Sequence, residues 1–210
     1  LGVSYGISGK LNMDVAIDVP GTFSVYNSLA AICVAQKFGI SSDIVKQALE
    51  EIRVPGRSEL VDNKLEIPIM IDYAHSPESL KSILLSTKEY TKGRVISVFG
   101  CGGDRDTTKR PMMGEIAQKY SDVCIITSDN PRTEDPELII KDILNGLDQN
   151  KDNYKVIIDR REAIKYAIEN GDEGDVIVLA GKGHEDYQII GREKTHLDDR
   201  EEVQKALALR

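Results

Sequence analysis

The chain has 210 residues, 40% apolar and 30% charged, a normal globular balance with room for one ordinary domain and part of another. Its formal charge is −8 with acids and bases interspersed, so it offers no basic patch for nucleic acid, and no stretch approaches the roughly 20 apolar residues of a membrane span. Cys33, Cys101 and Cys124 form neither a C-x-x-C zinc pattern nor a disulfide framework, which predicts a reducing, cytoplasmic setting.

The opening residues, LGVSYGISGK, lack the charged-then-apolar order of a signal peptide, and without an initiator Met the chain reads as a piece of something longer. Residues 1–20 are expected to form short strands: Leu11, Met13, Val15 and Ile17 alternate with Asn12, Asp14, Ala16 and Asp18. Pro20-Gly21 predicts a turn. Phe23–Phe38, rich in Val, Leu, Ile and Ala, predicts a well-buried helix closed by Gly39. Ser41-Ser42-Asp43 opens a short helix through Leu49. Val54-Pro55-Gly56 is the candidate boundary, dividing residues 1–53 from 54–210.

Beyond it, strands and helices alternate. Strands are expected at Ile67–Ile71, Arg94–Phe99, Asp122–Thr127, Tyr154–Ile158 and Asp175–Ala180. Between them, Ser76 caps a helix with Pro77 at its first position, running to about Tyr90. Further helices are expected at Lys109–Tyr120, at Pro136–Leu147, and from an Asp159 cap to Asn170, closed by Gly171. A hairpin-like piece, Tyr187–Lys194, follows, and Asp198-Asp199 caps a last helix to Leu209. The alternation predicts an α/β fold with a doubly wound, mostly parallel sheet, and ligands in such sheets sit outside the carboxyl ends of the strands.

Four loops lie at those ends. Asp129-Asn130-Pro131-Arg132 combines an acceptor, an amide and a donor fork, a set that suits a zwitterion: Asp129 for an ammonium, Arg132 for a carboxylate, Asn130 for either. A polar turn whose proline ends the strand fits the same residues. Gly100–Asp106 reads GCGGDRD, which does not match G-x-G-x-x-G, though Arg105 could reach a carboxylate or phosphate. Gly181-Lys182-Gly183-His184-Glu185 is not a phosphate loop, since G-x-x-x-x-G-K-[ST] is absent from the whole chain. His184 and Glu185 lack metal-ligand spacing and read as a structural or ligand-contacting pair. Asp72 and His75 share a loop and could bond a ribose and flank a base. With no nucleophile in reach, a hydrolase reading is weak, and His75 fits equally as a plain loop residue.

Several motifs in one order resemble the Mur ligases: VPGRSE (Val54–Glu59), DYAHSPESL (Asp72–Leu80), FGCGGDRDTTKRPMMG (Phe99–Gly114), TSDNPRTEDP (Thr127–Pro136), AGKGHEDYQ (Ala180–Gln188) and DDRE (Asp198–Glu201). Within that family the likeness is to the tripeptide-synthetase type that adds meso-diaminopimelate. GTFSVYNSLAA (Gly21–Ala31) resembles the end of the family's central ATPase domain. The resemblance implies a remnant of that domain in residues 1–53 and a complete, Rossmann-like C-terminal domain in 54–210. It implies an ATP-dependent ligase of peptidoglycan synthesis that couples meso-diaminopimelate to UDP-MurNAc-L-Ala-D-Glu through an acyl phosphate, with Mg2+ in the full-length enzyme. Carried onto this sequence, it implies that Arg105, Asp129, Asn130, Pro131, Arg132, Gly181 and Glu185 bind the amino acid. Asn27, Asp72 and His75 would contact the nucleotide, and Arg57 would stand near the transferred phosphate. The phosphate loop, the magnesium ligands, the carbamylated lysine and the UDP-binding domain are missing from the chain, so the fragment is expected to be inactive alone. A lysine- or lanthionine-adding ligase and a free-standing amino-acid- or nucleotide-binding module remain alternatives. Folate-polyglutamate ligases share the architecture, but DNPR and GKGHE fit them poorly.

Overall fold

A computed structural model describes residues 2–65 and 67–210. The chain forms two compact units, Leu1–Val54 and Pro55–Arg210.

In the first unit, β1 (Val3–Ile7) pairs antiparallel with β2 (Met13–Ile17), Val3 opposite Ile17. Met13, Val15 and Ile17 are buried while Asp14 and Ala16 face solvent, as a period of two demands. Two helices follow, α1 (Thr22–Lys37) and α2 (Ser42–Glu51), and the small core joins Ile32, Val45 and Leu49 to the β2 residues. The expectation of a well-buried first helix fails. Only Ser24, Ser28 and Ile32 of α1 are buried, whereas Tyr26 is 74%, Val34 58% and Phe38 79% exposed. The reason is geometric: apolar residues surround α1 on all sides, and a two-stranded sheet can cover only one stripe of it.

The second unit runs β3 (Glu59–Leu60), β4 (Ile69–Asp72), α3 (Pro77–Tyr90), β5 (Val95–Phe99), α4 (Lys109–Tyr120) and β6 (Val123–Ile126). It continues with α5 (Pro136–Leu144), β7 (Tyr154–Val156), α6 (Arg160–Glu169), β8 (Val176–Ala180), β9 (Tyr187–Ile190), β10 (Glu193–His196) and α7 (Asp199–Leu209). One six-stranded sheet has the order β3-β4-β8-β5-β6-β7. Every pairing in it is parallel except that of β3 with β4. β9 and β10 form a separate antiparallel hairpin. The central strands VISVF and VIVLA are buried along their whole length, the signature of a sheet covered on both faces.

Caps fix where the helices start. Ser76 and Ser79 exchange side-chain and backbone bonds ahead of α3, with Pro77 at the first position. Asp135, Asp159 and Asp198 accept from Glu137, Arg161 and Arg200 backbone N–H groups. Of the expected Asp198-Asp199 cap, only Asp198 serves. Asp199 is fully buried and paired with Arg160 at 2.6 Å. α5 stops at Leu144, short of the expected Leu147, because its last turn tightens into bonds from Gly146 N to Ile143 O and Leu147 N to Leu144 O, both 3.1 Å. β3 was not expected, since two residues carry no periodic signal.

Candidate functional site

The loops after β4, β5, β6 and β8 converge on one cavity of about 420 Å³ in the second unit. The loop after β4 contributes Tyr73 and His75, that after β5 contributes Gly100–Gly102, Arg105 and Asp106, that after β6 contributes Asp129, Asn130 and Arg132, and that after β8 contributes Gly181 and Glu185, while Lys109 opens α4 and Tyr187 opens β9. The order of the sheet dictates this, because parallel strands end on the same edge.

The Asp129–Arg132 loop is fastened on two sides. Toward β9, Ile189 N donates to Asn130 Oδ1 at 2.9 Å, Gln188 Nε2 to the Asp129 carbonyl at 2.7 Å, and Arg132 N to the Ile189 carbonyl at 3.0 Å. Gly191 N returns a bond to the Arg132 carbonyl at 2.6 Å. These bonds hold Arg132 at φ 53, a left-handed conformation that an L side chain rarely adopts. Toward the glycine loop, Gly103 N donates to the Asn130 carbonyl at 2.9 Å, and Arg132 Nη1 donates to the Gly103 carbonyl at 2.9 Å. Position 103 must be glycine, because a Cβ there would collide with the Pro131 carbonyl. Pro131 is buried at this contact and does not line the cavity.

The cavity carries charges of both signs, from Asp106, Asp129 and Glu185 and from Arg105, Lys109 and Arg132. Asp129 is buried, and among the described residues its carboxylate accepts no hydrogen bond, which leaves an acceptor facing the cavity. Glu185 accepts Asn130 Nδ2 at 2.8 Å on the same wall. Arg132 keeps Nε and Nη2 without a partner among the described residues. Arg105 follows Asp104, itself at φ 55. Asp104 is locked by Thr133 Oγ1 at 2.7 Å and by its own N–H donating to Glu134 Oε1 at 2.5 Å. Glu134 in turn is bonded by the buried Arg110 at 2.8 Å, which holds its carboxyl below the usual range. The two arginines therefore ride on loops latched to each other. Cys101 faces the cavity as an inert thiol, its pKa pushed up to about 12 by burial.

The remaining expected residues lie elsewhere. Asp72 is buried, accepts Ser58 N at 2.8 Å, and does not line the cavity. Burial raises its pKa, against the lowering effect of the Ser58 and Ala74 N–H bonds and of Arg57. Arg57 is exposed, its guanidinium 4.7 Å above the Tyr73 ring. His75 Nδ1 donates to the Tyr73 carbonyl at 2.8 Å, and its own carbonyl accepts Lys109 Nζ at 2.7 Å. His184 lies 5.5 Å from Tyr73, ring to ring. Asn27 is exposed on α1 of the first unit. Among the described residues, no group of three or more His, Cys, Asp or Glu could hold a metal ion, and no helix is long and apolar enough to cross a membrane.

The pattern of the Mur ligase, glutamate ligase domain matches residues 56–183, more than half of the chain. The chain belongs to the Mur ligase family. It is 52% identical over 209 residues to the UDP-N-acetylmuramoyl-L-alanyl-D-glutamate--2,6-diaminopimelate ligase of Clostridioides difficile (strain 630). That match covers 99% of this chain and 43% of the relative, so the chain spans less than half of the relative's length. A solved structure of a UDP-N-acetylmuramoyl-L-alanyl-D-glutamate--2,6-diaminopimelate ligase superposes with a TM-score of 0.73 at 38% identity, covering 98% of this chain and 42% of that one. Folylpolyglutamate synthase of Mycobacterium tuberculosis shares the fold at 21% identity and a TM-score of 0.63, covering 80% of this chain and 39% of that one.

Within this Mur ligase chain, sequence reasoning brought Arg105, Asp129, Asn130, Arg132, Gly181, Glu185 and His75 to the cavity. It gave no role to Tyr73, Lys109 and Tyr187, although they lie inside the DYAHSPESL, FGCGGDRDTTKRPMMG and AGKGHEDYQ stretches. It also gave no role to Lys182, which is fully buried behind the cavity wall. A lysine between two glycines reads as a solvated loop residue, and nothing local marks it as interior.

Proposed function

We propose that this chain is the amino-acid-binding part of an ATP-dependent ligase that adds meso-diaminopimelate to UDP-MurNAc-L-Ala-D-Glu. One observation carries the reading: a single cavity sets two acceptors, Asp129 and Glu185, against two guanidinium groups, Arg105 and Arg132. A zwitterionic centre needs both signs at fixed spacing. Meso-diaminopimelate has such a centre at each end. Lysine ends in an ammonium alone, so Arg132 would lose its carboxylate and face a like charge.

In this reading Arg105, Asp129, Asn130, Arg132, Gly181 and Glu185 hold the amino acid, with Pro131 shaping the loop. Fixing the amino acid there brings its free amine to an activated carboxylate in one geometry and shields it from water. ATP supplies the activation, as a phosphoryl group on the accepting carboxylate. The Tyr73, His75 and His184 rings, with Arg57 over Tyr73, support a nucleotide on that side of the loop cluster. Asn27, Asp72 and His75 are assigned to it, and Arg57 to the transferred phosphate. Ligands for Mg2+ are assigned to parts of the enzyme outside this chain. Residues 1–53 are read as the end of the central ATPase domain and 54–210 as the C-terminal domain, in a cytoplasmic enzyme. The uncovered apolar face of α1 supports the first of these assignments.

The test is a ligation assay of the complete enzyme with UDP-MurNAc-L-Ala-D-Glu, ATP and either meso-diaminopimelate, L-lysine or lanthionine. Turnover with meso-diaminopimelate far above the others supports the reading; preferential use of lysine overturns it.

A further inference from the structure

Lys182 has 0% of its side chain exposed, an unusual state for a lysine. Its ammonium donates to the Tyr187 carbonyl and stands 3.6 Å from Glu185 Oε2. Its charged neighbours come from every element around it: Asp129 from the loop after β6, Glu185 from its own loop, Arg160 from α6 and Asp199 from α7. Burial lowers its pKa, and Asp129 is the largest opposing influence. Three carboxylates thus surround two cations, and the excess negative charge belongs to the pair that fronts the cavity. Asn130 Nδ2 and the Tyr187 hydroxyl also engage Glu185.

We propose that Lys182 is a positioning residue for the acidic end of the cavity: its buried ammonium braces Glu185 and the turn to Tyr187, so that Asp129 and Glu185 meet one primary ammonium of the ligand. This rests on the amino-acid pocket proposed above. A buried lysine anchors Glu185 from behind, where water cannot compete, and its charge keeps the two carboxylates from repelling each other apart. Without it, Glu185 would keep only uncharged partners among the described residues, Asn130 Nδ2 and the Tyr187 hydroxyl. The ligand would lose its ammonium contact while its carboxylate contacts with the arginines stayed.

The experiment compares Lys182→Gln and Lys182→Met with the parental complete ligase. The substrates are meso-diaminopimelate and 2-aminopimelate, which lacks the distal ammonium. Glutamine can still donate to the Tyr187 carbonyl, so any loss it shares with methionine is a loss of charge; should the methionine variant fail to fold, the glutamine variant decides alone. Both are expected to raise KM for meso-diaminopimelate about tenfold, to leave KM for ATP within about twofold, and to cut the preference for meso-diaminopimelate over 2-aminopimelate by a similar factor. An unchanged preference, or equal losses for both amino acids and ATP, overturns the proposal. Failure of the parental enzyme to use meso-diaminopimelate would instead overturn the pocket assignment on which it rests.

Discussion

Asn130 and Glu185, 55 residues apart, are joined by a 2.8 Å bond from Nδ2 to Oε2, while Asn130 Oδ1 takes the Ile189 N–H at 2.9 Å. One amide thus ties the loop after β6 to the loop after β8 and to the hairpin. Asn130→Ala is expected to leave the Ile189 N–H without its side-chain acceptor and Glu185 without its amide donor, at about 1–3 kcal/mol of stability. Asn130→Asp would add a carboxylate against Glu185 and cost at least as much. Urea unfolding of the two variants measures this; wild-type stability in both would show that the amide is dispensable.

Arg132 does two jobs, one with its backbone and one with its guanidinium. Arg132→Gly relieves the φ 53 conformation and keeps the backbone bonds to the hairpin, but removes the guanidinium. It is expected to retain the fold while losing discrimination between meso-diaminopimelate and lysine, by about 10²-fold or more in kcat/KM. Arg132→Lys should not restore it, since an ammonium cannot donate as a fork. Competition assays with the two amino acids would detect an unchanged preference and refute the assignment.

The Arg160–Asp199 pair is fully buried, with bonds of 2.6 and 2.8 Å. Arg160 Nη1 is nevertheless buried without a partner among the described residues. Removing one member strands the other charge. Asp199→Leu alone is expected to destabilise the second unit by about 3–5 kcal/mol, and Arg160→Met with Asp199→Leu by much less. A double-mutant cycle from denaturant melts resolves the two, and additive losses would argue against coupling.

Acid should loosen the latch between the loops that carry Arg105 and Arg132. The Arg110 bond, helped by the Asp104 N–H, lowers the Glu134 pKa from the ordinary 4.5. A lowered folded pKa means that the contribution is complete above the unfolded value and is lost as pH falls through the folded one. Thermal midpoints should therefore drop as pH falls below the ordinary carboxylate range, and Glu134→Gln should show a shallower drop. Equal acid sensitivity of the two proteins would remove Glu134 as a contributor.

Much of this molecule was legible in its sequence because the signals were local. Continuous apolar runs such as Val95–Phe99 gave the buried strands, and Ser76-Pro77 gave a helix start to the residue. The carboxyl-edge rule then named the loops. What escaped depends on contacts between distant residues. Lys182 is interior among charged neighbours, Asp129, Arg160 of α6 and Asp199 of α7, and Asp199 reads as a cap although it pairs with Arg160. The exposure of α1 escaped for the opposite reason: an apolar helix reads as buried whether or not its covering is present.

The place of β8 bears on how the chain is made. It is the last strand of the large sheet to leave the ribosome, yet β4 and β5 flank it and do not pair with each other. Until Val176–Ala180 emerges, the nascent second unit holds two fragments with open strand edges, a state prone to association. The Gly181–Tyr187 turn arrives with it, so the cavity cannot close before β8 has emerged.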